Sequence, residues 1–290
     1  MISAIIPAYN ESEAIQDVLN ELIAKLKVIC GDSFEVIVVD DCSTDNTREI
    51  VSKFDSSAVS FVENIINMGY GFSLKKGINS AKNDTIIILD GDGTYPLDNL
   101  DKLLCEYQRG FDLVIADRGS NFSEDSWLKS IFRAFLRRIV EFTTGTPIPD
   151  VNSGLRIFSK DTVSPYLHLM SDRFSFTTSM TLLYALDRKL ILFSLNKYRK
   201  RAGKSKVKLR RDIFRTLQII LELIALKNPL KLHMLIILLS ALVWLFVMAA
   251  SWIISGDLAQ WTLSGFFLTL FLQISITAHA LQAKVHNRTS

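Results

Sequence analysis

The chain reads as an α/β protein, a mostly parallel sheet with helices on both faces, followed by a juxtamembrane helix and two transmembrane helices. Three observations predict it. Short apolar, β-branched runs alternate with helical stretches from the start to Ala116, a dense basic run fills Lys197–Arg211, and two long uncharged apolar runs come after it. Alternation of the first kind gives a sheet buried on both faces, because each parallel crossover lays a helix against it.

The strand candidates are Ser3–Ile6, Phe34–Val39, Val59–Val62, Thr85–Leu89 and Leu113–Ala116. Each is a short β-branched run bounded by turn residues. Helix candidates lie between them at Glu13–Ile29, Thr44–Phe54, Gly71–Ala81 and Leu97–Arg109. Ser43 or Thr44 before Asp45 has the look of a helix cap, Pro96 of a first-turn residue, and Asn10 of a turn.

Among the 290 residues, 49% are hydrophobic, and the excess sits after residue 230. Residues 232–254 and 261–283 carry no Asp, Glu, Lys or Arg, and each exceeds the roughly 20 residues that a helix needs to cross a bilayer. Basic residues crowd before the first run and recur at Lys284 and Arg288, whereas the linker at 255–260 has none. The positive-inside rule therefore puts residues 1–210 and both termini in the cytoplasm and the linker outside, on a multi-pass protein of the cytoplasmic (inner) membrane. Residues 211–228 repeat polar positions at helical spacing against an apolar face, as an amphipathic juxtamembrane helix does. The expected domains are thus 1–210, the helix at 211–228, and the two spans.

A net charge of +3 does not mark a nucleic-acid binder. The chain opens on Ile2-Ser3-Ala4 without a basic start or cleavage site, so no signal peptide is expected. Cys30, Cys42 and Cys105 match no metal spacing, and a reduced compartment is expected.

In a parallel sheet the ligand crevice lies beyond the carboxyl ends of the strands. The first strand ends in Pro7-Ala8-Tyr9-Asn10-Glu11, the second in Asp40-Asp41, the fourth in Asp90-Gly91-Asp92 and the fifth in Asp117-Arg118. Carboxylates and an arginine converge on one edge. Asp90 and Asp92 are two apart in an extended segment, so both side chains can point one way. Two hard carboxylates at a glycine suit Mg2+ or Mn2+ shared with a diphosphate.

The pieces Ile6–Glu11, Val39–Asp45, Asn67-Met68-Gly69-Tyr70-Gly71, Asp90–Pro96, Ser153-Gly154-Leu155-Arg156 and Gly203-Lys204-Ser205-Lys206 occur together and in this order. In this the chain resembles the family 2 glycosyltransferases of GT-A fold, in the polyprenyl-phosphate branch of dolichyl-phosphate mannose synthase type. The resemblance covers about residues 1–210. It implies a metal-dependent, inverting transferase. Pro7, Tyr9, Glu11 and Asp40 would border the nucleoside, with Asp90 and Asp92 on the metal and diphosphate. Of the adjacent pair, Asp40 is the one expected in the pocket, with Asp41 bracing. Gly69, Gly71 and Gly77 fit the family's small-residue pattern, read here as close packing. Two departures stand out: Thr94 where the family often has Gln, and Ala116-Asp117-Arg118 where it often has Gly-Ser-Arg.

Transfer to a hydroxyl needs a general base, and the stretch Phe174–Met180, where relatives of that type place one, has no acid. Glu124 and Asp125 come too early in the chain, and Asp150, beside Ser153 and Arg156, is the best remaining carboxylate, as base or as partner of an arginine. A phosphate acceptor needs cations instead, for which Arg118, Arg156, Arg201 and Lys206 are candidates. The expected partners are a nucleotide sugar, a polyprenyl phosphate and the membrane, and the resemblance is compatible with a homo-oligomer. The competing readings are transfer to a lipid-linked glycan hydroxyl in O-antigen or capsule assembly, and a catalytically silent subunit that only binds nucleotide sugar.

Overall fold

The computed structural model describes residues 1–54, 57–119, 137–199 and 209–255, and the short pieces 265–267, 269–271 and 273–274. Strands β1 (Ile2–Ala8), β2 (Phe34–Asp40), β3 (Val59–Glu63), β4 (Thr85–Ile88), β5 (Leu113–Asp117), β6 (Arg156–Ser159) and β7 (Ile191–Leu195) form one sheet. Their order is β3-β2-β1-β4-β6-β5-β7. β1 pairs in parallel with β2 and β4, β2 with β3, and β5 with β7. β6 runs antiparallel to both β4 and β5. The carboxyl ends of the six other strands therefore share one edge with the beginning of β6, where Arg156 pairs with Ile88 and Ile115.

The alternating pattern predicts β1 to β5, and all five are present within a few residues of the expected bounds. It does not predict β6 or β7. β6 is only four residues long and opens on an arginine, which no apolar periodicity can mark.

Helices cover the sheet: α1 (Ile15–Cys30), α2 (Thr47–Val51), α3 (Tyr70–Ser80), α4 (Leu100–Gln108), the short α5 (Lys160–Val163) with a 3-10 turn at Ser164–Leu169, and α6 (Phe176–Leu186). In α1 the buried positions are Ile15, Val18, Leu19, Leu22 and Leu26, one apolar stripe at helical spacing. With Ile6, Val36, Val38, Leu100 and Leu103 they form the main core, each full-sized side chain contributing about 1.5–3 kcal/mol by leaving water. α6 is different, with every residue from Phe176 to Ala185 buried. α2 is shorter than the expected Thr44–Phe54. Its first N–H, that of Thr47, is met not by Ser43 or Thr44 but by the Asp45 carboxylate, at 3.0 Å.

The chain divides into two compact units, Met1–Ile220 and Leu221–Ser290, with the division inside α7 (Leu209–Lys227). Within the first unit, Thr216 of α7 shares a 2.7 Å hydrogen bond with Ser175. The second unit contains α8 (Pro229–Ser255), of which Pro229–Ala250 has a mean hydropathy of 2.5. Among the described residues it is the one helix long and apolar enough to cross a bilayer. The second expected span falls largely outside the described residues. The helical pieces described there place Gln273 within 3.3 Å of Ser240 Oγ, and Phe266 edge-on to Trp244.

Candidate active site

The β1 and β2 ends are stitched together by side chains. Asn10 N donates to Ser43 Oγ at 2.9 Å, Glu11 N to Thr47 Oγ1 at 2.9 Å and Ser12 N to Asp45 Oδ2 at 3.1 Å, while Asn10 Oδ1 accepts from Thr44 N at 2.7 Å. Asn10 and Cys42 both take positive φ, 54° and 65°, which asparagine tolerates better than most residues. Asp40 is buried and accepts from Ser43 N at 3.0 Å and from Ser43 Oγ. Asp41 takes Asn64 Nδ2, Met68 N and Gly69 N, each at 2.8 Å. The two neighbours thus face different loops: Asp40 holds its own turn, and Asp41 holds the loop that opens α3.

That loop approaches the backbone of residues 171–173 closely. A Cβ on Gly69 would lie 2.8 Å from Asp172 O, and one on Gly71 would overlap Ser171 O. Only Gly77 meets the expectation of helix–sheet packing, against Ile5 and Val39.

Asp90 and Asp92 follow β4 beside the point where strand order reverses, between β1 and β4. Asp90 Oδ1 accepts the phenol of Tyr70 at 2.8 Å. Burial, and then the Asp90 charge, push the Tyr70 phenol well above its ordinary value, so it stays a donor. Asp92 is 7% exposed, and its Oδ1 accepts from Thr94 N at 3.1 Å and Thr94 Oγ1 at 2.7 Å. Thr94, the departure from the family pattern, is therefore a brace for Asp92. Gly154 lies flat against Asp90, where any Cβ would overlap the carboxylate, and Gly154 N donates to Tyr95 Oη at 2.7 Å. Among the described residues no three His, Cys, Asp or Glu side chains gather. The donor set is two braced carboxylates, hard oxygens that fit a divalent cation sharing its shell with another oxygen-rich ligand.

Arg118 and Asp150 form a bidentate pair, Nε to Oδ2 and Nη2 to Oδ1, both 2.7 Å. Burial opposes both charges, yet the pairing wins: the Asp150 carboxyl is held below its usual range and the Arg118 guanidinium above its own. Arg118 also stands over the Tyr198 ring, 5.6 Å from its centroid, and Tyr198 packs edge-on against Tyr95. Asp117, the other departure, takes Gly119 N at 2.9 Å in its own turn.

Arg156 is completely buried. It donates to Ser153 O at 2.8 Å, Val151 O at 2.7 Å and Thr181 Oγ1 at 2.6 Å. Burial pushes it down to about 10, so it is still a cation at neutral pH. The structure thus places it beneath the turn at 150–154 rather than in the crevice. Pro7, Tyr9, Glu11, Asp40, Asp90, Asp92 and Arg118 share the strand-end edge, and Arg201 and Lys206 lie outside the described residues. Tyr70 and Tyr95 stand within the recurring pieces Asn67–Gly71 and Asp90–Pro96, but nothing in the sequence gives either a role there, and nothing marks Tyr198 at all. The glycine of Ser153-Gly154-Leu155-Arg156 is the available clue, since a glycine there leaves room for a carboxylate.

A seven-stranded mixed sheet, with a carboxylate pair at the switch point, defines an α/β protein of GT-A type. The profile described as Glycosyl transferase family 2 matches residues 3–166, and the chain belongs to that family, an enzyme family of nucleotide-sugar glycosyltransferases. Among solved structures, glucosyl-3-phosphoglycerate synthase from Mycobacterium tuberculosis with Mn2+, UDP-glucose and phosphoglyceric acid aligns at a TM-score of 0.60 and 19% identity, over 77% of this chain and 79% of that one. The same enzyme with Mg2+ and UDP gives 0.59 and 20%, over 77% and 79%. Mannosyl-3-phosphoglycerate synthase from Rubrobacter xylanophilus gives 0.58 and 14%, over 78% and 72%. Likeness at these identities speaks for the fold.

Proposed function

We propose that this enzyme transfers a sugar from a UDP- or GDP-linked donor to a polyprenyl phosphate such as undecaprenyl or dolichyl phosphate, with inversion and with Mg2+ or Mn2+ at Asp90 and Asp92. The observation that carries the choice of acceptor is the Arg118–Asp150 pair. Asp150 is engaged at both oxygens and its carboxyl is held below its usual range, which makes it a weak base for a hydroxyl. A phosphomonoester has a second pKa of about 6 and arrives already anionic. Its oxygen forms the new bond to the anomeric carbon as the bond from that carbon to the diphosphate breaks, and no proton has to be removed.

In this reading Pro7, Tyr9, Glu11 and Asp40 border the nucleoside, and Asp90 and Asp92 hold the divalent ion. When bound, that ion supplies positive charge against the departing nucleoside diphosphate. Arg118, with Arg201 and Lys206, holds the acceptor phosphate in line with the sugar carbon. Asp150 fixes Arg118, and Arg156 supports the turn that carries Asp150. The lipid acceptor is supported by the span at Pro229–Ala250 and the basic run before it, where anionic lipid headgroups are met. The same reading puts the catalytic domain, residues 1–210, and both termini on the cytoplasmic side, with spans at 232–254 and 261–283.

A second reading is favoured by the enzymes of similar fold, whose structures hold phosphoglyceric acid: transfer to a hydroxyl of a small phosphorylated acid. Purified full-length chain, incubated with Mg2+ or Mn2+, a panel of nucleotide sugars and each acceptor in turn, separates the two. Label from one donor is expected in polyprenyl phosphate. Label in phosphoglyceric acid or a lipid-linked glycan, with none in polyprenyl phosphate from any donor, would sink the lipid reading.

A further inference from the structure

We infer that Tyr70 is a positioning residue for Asp90, and that Asp41 serves to place it. The inference rests on the reading of Asp90 as a metal carboxylate. A carboxylate on a loop rotates freely unless its oxygens are fixed, and partners behind a metal ligand set both its direction and its affinity. Here the direction is set from two sides. The Tyr70 hydroxyl donates to Oδ1 at 2.8 Å, and the bare backbone of Gly154 closes the other side, with no room for a Cβ.

Tyr70 is the first residue of α3 and follows Gly69, whose φ is 107°. Met68 N and Gly69 N are both held by the buried Asp41 carboxylate. One unbroken line of hydrogen bonds and backbone therefore runs from β2 through Asp41 and the 68–69 loop to Tyr70 and Asp90. The second acid of the Asp40-Asp41 pair thereby gains a role of its own, because Asp41 reaches the metal carboxylate through a tyrosine. Phe174 packs on the Tyr70 ring at 6.4 Å between centroids and keeps it in place.

The test compares Mn2+ binding to the full chain in the presence of UDP, read as the free-ion EPR signal, for the parent, Tyr70→Phe and Asp90→Asn. Tyr70→Phe is expected to bind Mn2+ about 10-fold more weakly and to bind UDP without metal as the parent does. Its half-saturating metal concentration for transfer rises in step, while kcat at saturating metal stays near the parent value. Parent-like Mn2+ binding in Tyr70→Phe, with loss in Asp90→Asn, overturns the inference and leaves the metal reading standing. Parent-like binding in Asp90→Asn as well overturns both. Should Tyr70→Phe not fold, Asp41→Asn takes its place, because an amide accepts on one side only and releases part of the 68–69 loop. Parent-like Mn2+ binding in that variant overturns the inference equally.

Discussion

Replacing Asp150 by asparagine removes one charge from a pair whose side chains are only 15% (Arg118) and 7% (Asp150) exposed. Arg118 would be left a largely buried cation without its carboxylate, a change that costs about 3 kcal/mol in buried pairs. Asp150→Asn is therefore expected to lower the thermal midpoint of the purified chain by several degrees, and an unchanged midpoint would show the pair to be dispensable. Legibility in the sequence differs residue by residue for a physical reason. Asp90 and Asp92 announce themselves because a wholly apolar run, Ile86-Ile87-Ile88-Leu89, pins them to a strand end. Arg156 misleads, because a cation in a glycine-containing turn looks the same in sequence whether it meets a phosphate or three protein oxygens. Tyr70 and Tyr95 sit inside recognised pieces, yet their roles are invisible, since their partners, Asp90 and Gly154, are 20 and 59 positions away and meet them only through the sheet.

At the scale of elements, α2 depends on a side chain that the cap rules place one or two positions too early. Asp45 accepts from Thr47 N and Oγ1 and from Ser12 N. Burial alone would raise its carboxyl, but these bonds outweigh it and lower it to about 2. The unfolded value is about 4, so the contribution of Asp45 is fully present above pH about 4 and is lost as pH falls toward about 2. Thermal midpoints measured across that range should fall less steeply in Asp45→Asn than in the parent, and parallel profiles would contradict the assignment. The same physics explains which elements the sequence shows. β1 to β5 are read from their apolar composition, because burial on both faces of a sheet demands it. β6 is held as a strand by pairing on both sides, with Ile88, Ile87 and Ile86 on one and Ile115, Val114 and Leu113 on the other, and nothing local marks it. Its antiparallel insertion is what brings the Ser153–Arg156 turn to the strand-end edge beside Asp90.

For the molecule as a whole, the proposal is that a family 2 transferase uses its carboxylate pair to glycosylate a lipid phosphate. The apolar helix Pro229–Ala250 and the basic stretch before it are legible from composition alone, since crossing a bilayer needs only length and the absence of charge. The acceptor is not written as directly, because Arg118 would meet a lipid phosphate and a small phosphorylated acid with the same guanidinium. The decisive experiment follows labelled sugar from the active donor into extracted polyprenyl phosphate, for the parent with and without EDTA and for Asp92→Asn. Metal-dependent lipid labelling is expected in the parent, with a loss of about 10²–10³-fold in Asp92→Asn. Lipid labelling that survives both EDTA and Asp92→Asn, or label that never enters the lipid while a water-borne acceptor takes it up, would contradict the proposal.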